Sequence, residues 1–405
     1  MAGCHSPVAS RFDIAVVGGG PAGLAAAQSA AKAGARVVLF EKDEAIAHSV
    51  RTSGVSWIDS MDSLGIPNSL YNPIANYRFV SPANDVMISG STPRSCVLDV
   101  RATYQHLAFL AAEAGATIMV RSNVINIAKE DGRVTGVKAS TPAGDMEVKC
   151  PLVIDASGFS TSAGRKAGLA GEWRRYGVGA EYECYCDHAD SLTWTLMVGQ
   201  QYSEAGYAWV FPLSKNRVRI GVGIGRPESQ ADPLDKLHAV LEKKLKPLDA
   251  LGKIQPVELH YGFIPNEGPR QHSVAEGLLM VGDSAGQSNP LVLEGIRYAI
   301  EFGRLAGEVG AKSLAQNAST ASLAGYEKAW KARVAAKIAS ALKVQSRWIG
   351  LSDGEWDKEI EILRDMSADE FIDFIKADFT AAKMMKLAFH HPKLAARELF
   401  NMVLK

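Results

Sequence analysis

Three glycines, Gly18, Gly20 and Gly23, stand in a G-x-G-x-x-G pattern between the apolar run DIAVV and the alanine-rich stretch LAAAQSAAKAG. Alone the pattern is weak. Between a strand and a helix it has a chemical meaning. Gly18 permits a tight turn, Gly20 lets backbone approach a pyrophosphate, and Gly23 allows close helix–strand packing. Ala22 belongs to the same turn. The helix start offers free N–H groups and partial positive charge to phosphate oxygens. Glu41 ends the next strand, RVVLF, 21 residues after Gly20, with Lys42 following. An acid there accepts hydrogen bonds from an adenosine ribose and repels a 2′-phosphate, which disfavours NADP at this site.

Two further segments extend the pattern. Asp155-Ala-Ser-Gly158 runs on to Arg165, and Gly282-Asp283-Ser-Ala-Gly286 follows the apolar run LLMV. With the glycine turn they resemble the three flavin motifs of the geranylgeranyl reductase family, FAD-dependent oxidoreductases of the p-hydroxybenzoate-hydroxylase-like superfamily. The resemblance covers most of residues 12–310. It implies FAD as cofactor, with Asp283 on the ribityl chain. It also places Arg101, in VLDVRATYQHLA, opposite the pyrophosphate. Arg51 is counted with the same cradle. Gly295 and Ile296 would start a helix aimed at the isoalloxazine, whose backbone N–H groups suit the negative charge of reduced flavin. The family usually carries a glycine where Leu293 stands.

Such a fold hosts hydroxylases, halogenases, cyclases and reductases, so local residues must choose. Gly206-Tyr-Ala-Trp-Val-Phe-Pro212 resembles the Y-x-W-x-F-P signature of geranylgeranyl reductases. Tyr207, Trp209 and Phe211 alternate to one side of a strand and would line a pocket for a long apolar chain. Halogenases need a lysine after the first strand–helix–strand unit, and no lysine lies between Lys42 and Lys129. Ser53 replaces the cysteine of the family's C-G loop, with Gly54 retained. The resemblance therefore implies a reductase that saturates C=C bonds of an isoprenoid or prenyl lipid by hydride transfer from flavin N5. Tyr207 is the first candidate for proton donor or positioner, with Trp209, Ser53 and His48 as further catalytic candidates. The alternative is a monooxygenase of an aromatic or polyene substrate. A redox-neutral cyclase and a flavin electron carrier are weaker readings. No second strand–G-x-G-x-x-G–helix unit exists, since Gly221, Gly223 and Gly225 lie in the strand-like run RVRIGVGIG. NAD(P)H or ferredoxin would then act as an external electron donor.

The elements that must position these residues follow from periodicity. Residues 13–17, 36–40, 152–155 and 278–281 read as buried parallel strands, and 101–114 as a helix. Residues 124–127 and 134–139 form a hairpin turned at Asp131-Gly132. From about 172 to 265, period-two runs predict an antiparallel sheet. The expected class is α/β plus antiparallel β: a glutathione-reductase-type, Rossmann-like FAD domain with an inserted substrate domain and a helical C-terminus. The boundaries are residues 1–75, 96–170 and 272–320 for the FAD domain. Residues 76–95 and 171–271 form the substrate domain, and 321–405 the helical region. Ser352-x-x-Glu355 and Ser367-x-x-Glu370 read as capping boxes.

The chain of 405 residues carries 44 basic and 44 acidic residues, so no whole-protein field gathers nucleic acid. Five scattered cysteines argue against a disulfide framework and for a reducing, cytoplasmic compartment. No histidine is spaced for zinc, and no metal is expected. The start MAGCHSPVAS lacks signal-peptide features, and no apolar run spans a bilayer. Residues 383–405 hold five Lys/Arg against one Glu among Leu, Met and Phe, with Pro392 dividing two short helices. Such a basic amphipathic segment suits peripheral membrane contact, weighed against simple packing on the domain.

Overall fold

The computed structural model describes residues 12–378 and 381–392. A six-stranded sheet carries the nucleotide turn. Its order is Val274–Ala275, Leu278–Met280, Leu152–Asp155, Ile14–Val17, Val37–Phe40 and Thr117–Met119. All pairs but the first are parallel, and Ile14 stands in register with both Leu152 and Val37. The central strands are buried on both faces, which is why they read as continuous apolar runs. The helix Pro21–Lys32 starts on a proline and keeps small alanines along its inner side. The helix Ile296–Ser313 crosses it at backbone distance. A side chain at Gly303 or Gly307 would collide with the carbonyls of Ala22 or Ala26.

The hairpin at Asp131-Gly132 forms between Asn123–Glu130 and Arg133–Thr141, both turn residues having positive φ. A third strand, Gly144–Lys149, extends it into a meander that the hairpin reading omitted.

The second large sheet has seven strands. In order they are Ile254–Pro265, Tyr176–Cys186, Arg217–Arg226, Gly206–Pro212, Thr193–Met197, Asn76–Val80 and Asp85–Ser89. The antiparallel expectation needs one correction, because Thr193–Met197 pairs in parallel with Asn76–Val80. The latter strand enters from an upstream segment rather than through a hairpin, so nothing forces it to run antiparallel. One face of this sheet packs beneath the helix Pro233–Glu242, and Cys184 and Cys186 are both buried there. The other face looks toward the nucleotide turn. Cys96, Cys150, Cys184 and Cys186 are free and buried; Cys4 lies outside the described residues.

The C-terminal helices are not a separate body. Thr320–Ile349 sends Tyr326, Trp330 and Val334 into the core of the first sheet. The helices Asp353–Leu363 and Ala368–Ile375 place Ile360, Phe371 and Ile372 with Tyr77, Phe79 and Trp194 of the second. Both capping boxes are formed. Among the described residues no helix is long and apolar enough to cross a membrane, and no group of His, Cys, Asp and Glu could hold a metal.

Candidate active site

A cavity of about 2090 Å³ runs between the two sheets and reaches the C-terminal helices. That is about twice the upper end of ordinary small-molecule sites. At one end lie Gly18, Gly20, Ala22, Glu41, Lys42 and Arg51. Gly18 has φ +108°, and a Cβ there would sit 2.5 Å from the Ala156 carbonyl, so only glycine fits. Gly20 faces open space and caps its helix without a side chain, leaving the first backbone N–H groups for a ligand. The Glu41 carboxylate accepts from the backbone N–H groups of Gly19 and Asp43, each at 2.8 Å, which fixes it at the cavity wall. Arg51 pairs with Asp43 at 2.8 Å, half exposed at the rim.

Gly158, Gly282, Asp283, Gly295 and Ile296 also line the cavity. The Asp283 carboxylate accepts no hydrogen bond among the described residues, and desolvation by the surrounding protein pushes its pKa up to about 6. A partly buried, unpartnered acceptor facing the cavity fits the hydroxyls of a ribityl chain. Gly295 caps the eighteen-residue helix without a side chain, with its missing Cβ 3.3 Å from Asp283 Oδ1. Leu293 takes φ +51°, so the left-handed turn is kept even without the glycine. Gly177 on the facing strand clears its side chain, since a Cβ there would lie 2.7 Å from Leu293 Cδ1. The residues present therefore fit an extended dinucleotide.

Other expected cradle residues do not reach the cavity. Gly23 packs on the Gly18 carbonyl and Gly286 on the Gly268 carbonyl, so both shape the turns from behind. Asp155 is fully buried and accepts from Ser157 N, Ser157 Oγ and Gly164 N at 3.0, 2.6 and 2.7 Å. Its carboxylate folds the second motif rather than touching a ligand. Arg101 donates to the carbonyls of Ala47 and His48, both at 3.1 Å, and pairs with Glu258 at 2.5 Å. It clamps the loop before Arg51. Arg101→Lys keeps the charge but loses the guanidinium fork. Flavin affinity is expected to fall about fivefold, corresponding to about 1 kcal/mol for one lost net bond, as read by fluorescence titration with FAD.

On the substrate side, Ser53, Tyr207 and Trp209 line the cavity. His48 does not: its side chain is exposed and its backbone serves Arg101, so it leaves the catalytic set. The Tyr207 hydroxyl donates to the Val292 carbonyl at 2.8 Å, and burial pushes its pKa upward. Its proton is therefore held, which suits a positioner better than a donor. Trp209 lies over Gly221, where any side chain would collide with the indole, and stacks on Phe211 at 5.9 Å. Its Nε1 donates to Glu181 Oε2 at 2.7 Å.

Glu181 and His260 were missed in the sequence, and both line the cavity beside Trp209. The signal was charge on the inward side of otherwise apolar strands, in E-Y-E, R-V-R and E-L-H. Arg219 of the middle segment is buried and donates to the carbonyls of Ser53 and Leu98 at 2.8 and 2.9 Å. It fastens the Ser53 loop to the sheet.

The nucleotide cradle opening onto this inter-sheet cavity defines an FAD-dependent oxidoreductase. Residues 13–210 match the FAD dependent oxidoreductase model, and residues 176–263 match the geranylgeranyl reductase catalytic domain. A digeranylgeranylglycerophospholipid reductase of Methanothermobacter thermautotrophicus is 30% identical over 90% of this chain and 96% of its own. One from Methanocaldococcus jannaschii is 30% identical over 87% and 90%. The crystal structure of a geranylgeranyl bacteriochlorophyll reductase-like protein from Thermoplasma acidophilum superposes with a TM-score of 0.84. It shares 26% identity over 96% of this chain and 99% of that one. A flavin-dependent brominase, at 18% identity and a TM-score of 0.69, shares the fold alone. The chain belongs to the geranylgeranyl reductase family, and FAD is its cofactor.

Proposed function

We propose that the protein saturates C=C bonds in the prenyl chains of a lipid, a reading supported by its similarity to proteins named digeranylgeranylglycerophospholipid reductases. The carrying observation is the apolar arm of the cavity. Beside Tyr207 and Trp209, the residues Phe79, Leu196, Val292, Leu363, Phe371 and Phe374 line the cavity and belong to one apolar cluster. A long hydrocarbon fits such an arm, and its burial there is worth about 0.8 kcal/mol per CH₂. FAD, when bound, supplies the two-electron reducing chemistry. The chain's own residues align the alkene and exclude water: Trp209 forms one wall, and Tyr207 ties that wall to the Val292 carbonyl. Gly18, Gly20, Glu41, Gly158 and Gly295, with Asp283 foremost, would hold the cofactor. Arg101, Asp155, Gly23 and Gly286 would support them from behind. The electron donor is external, NAD(P)H or a ferredoxin, docking transiently.

The helix Ala381–His390 contributes Met385 and Ala388 to the cavity lining, while Met385 and Phe389 are largely exposed. Lys383 ties it to Asp373 and Asp378, and His390 to Glu370. This helix would rest at a bilayer surface where a lipid enters. Residues 393–405, the remainder of the basic segment, lie outside the described residues. Liposome flotation of the full chain and of a chain ending at residue 380 tests the contact, and equal behaviour rejects it.

Reduction without oxygen followed by mixing with a geranylgeranyl lipid is expected to reoxidise the flavin and yield a saturated chain. Absence of reoxidation by every prenyl compound tried, with oxygen-dependent hydroxylation instead, would overturn the reading.

A further inference from the structure

On the cavity side of the seven-stranded sheet, ionisable residues stand in two cross-strand rows. Glu181 is opposite His260, and Glu183 lies between Arg219 and Glu258. Glu181 and His260 are each 3% exposed and Arg219 1%. Charges so deep persist only in a network, which here has a direction. His260 Nδ1 is 2.9 Å from Glu181 Oε1. A carboxylate can only accept, so Nδ1 carries the hydrogen. Nε2 is buried without a hydrogen-bond partner, 3.6 Å from Glu258 Oε1. Glu258 is one-third exposed and pairs with Arg101 at the solvent edge. Glu181 lines the cavity, its second oxygen taking the Trp209 N–H. The Ser53 loop closes against the same network through Arg219.

We propose that His260 and Glu181 form the proton inlet of the cavity, an assignment that rests on the reductase reading. A proton arriving at the Glu258 edge is taken up at Nε2 of His260. The imidazole passes its Nδ1 proton to Glu181, and the Glu181 carboxyl gives it to one carbon of the substrate double bond. The other carbon receives hydrogen with its electron pair from the reduced cofactor. One π bond breaks, two C–H bonds form, and Glu181 returns to a carboxylate; the imidazole, left with its hydrogen on Nε2, turns its ring to bring that hydrogen back to the Glu181 side before the next proton arrives. Tyr207 cannot take this part while its hydroxyl is held by Val292. The groups facing His260 are Glu181 and Glu258 on the sheet, with Arg219 and Glu183 nearby and Arg101 from the helix Val100–Glu113.

The test uses the flavin-loaded full chain, its His260→Gln variant and Glu258→Gln as a second variant at the exposed end. Anaerobic flavin reoxidation by a geranylgeranyl lipid is followed across pH. In H260Q the maximal rate is expected to fall about a hundredfold, as for loss of a general acid. Its pH dependence should flatten, with flavin content and the lipid KM unchanged. In E258Q the rate should fall less, with its pH dependence displaced. A second readout is needed because activity alone cannot locate the proton. Tryptophan emission of the oxidised protein should titrate in the wild type and stop titrating in H260Q and in Trp209→Phe, since Trp209 reports on Glu181. Wild-type rates and pH profiles in both H260Q and E258Q, or an emission titration that survives in H260Q, would overturn the inlet. A wild type inert toward every prenyl lipid would instead sink the reductase reading, while the emission titration still decides the proton path.

Discussion

Asp283→Asn is expected to give a protein that leaves a desalting column with little flavin and yet, stripped of cofactor, is more stable than the wild type. In the free protein the Asp283 carboxylate faces the cavity without a partner, and desolvation raises its pKa from 3.8 to about 6. Below about pH 4 both folded and unfolded chains hold the proton, and the site costs nothing. Between about pH 4 and 6 the unfolded chain ionises first and stability falls. Above about pH 6 the cost is complete, about 3 kcal/mol at 1.36 kcal/mol per pH unit. Asparagine removes that charge. The urea midpoint of flavin-free D283N should therefore exceed the wild type at pH 7, with the gap about halved at pH 5. Flavin binding should move the opposite way. A charged acceptor is worth about 1.5–3 kcal/mol, so FAD affinity should weaken roughly tenfold to a hundredfold. A variant that keeps its flavin and shows no pH-dependent gain would remove Asp283 from the cradle.

Gly221→Val is the second large expectation. The added Cβ would collide with the Trp209 indole. The ring cannot slide away, because Glu181 holds its N–H and Phe211 stacks behind it. The indole must move into the cavity, at an overpacking cost of about 1–3 kcal/mol. Prenyl reduction should fall at least about a hundredfold, since a 1 Å misplacement at a reacting centre can cost that much. The flavin spectrum should persist, because Gly221 is outside the nucleotide end. Turnover per bound flavin separates this outcome from general unfolding.

These two residues mark where the sequence could be read and where it could not. Asp283 was legible because its motif is local: a buried strand, then a glycine, then an acid. The same holds for Gly18, Gly20 and Glu41, whose roles depend on neighbours within one strand–helix–strand unit. Gly221 was read as part of a strand without its reason, because the indole above it comes from another strand. His260, Glu181 and Arg219 form one network from three strands, and only register brings them together. Arg101 was recognised by motif, but its partners Glu258, Ala47 and His48 come from two other segments. His48 was a candidate by residue type alone, and the fold turns its side chain to solvent. The helices after Thr320 were legible as helices through their caps, whereas their place along the cavity wall depends on side chains that pack across both sheets.

The chain order of that wall has a consequence for how the molecule is made. The first sheet lacks Leu278–Met280, and the nucleotide turn lacks its crossing helix, until Ser313 has left the ribosome. The hydrocarbon arm still lacks Trp348, Leu363, Phe371 and Phe374 at that moment. During vectorial synthesis the residues that line the nucleotide end are therefore all made before those that complete the greasy compartment.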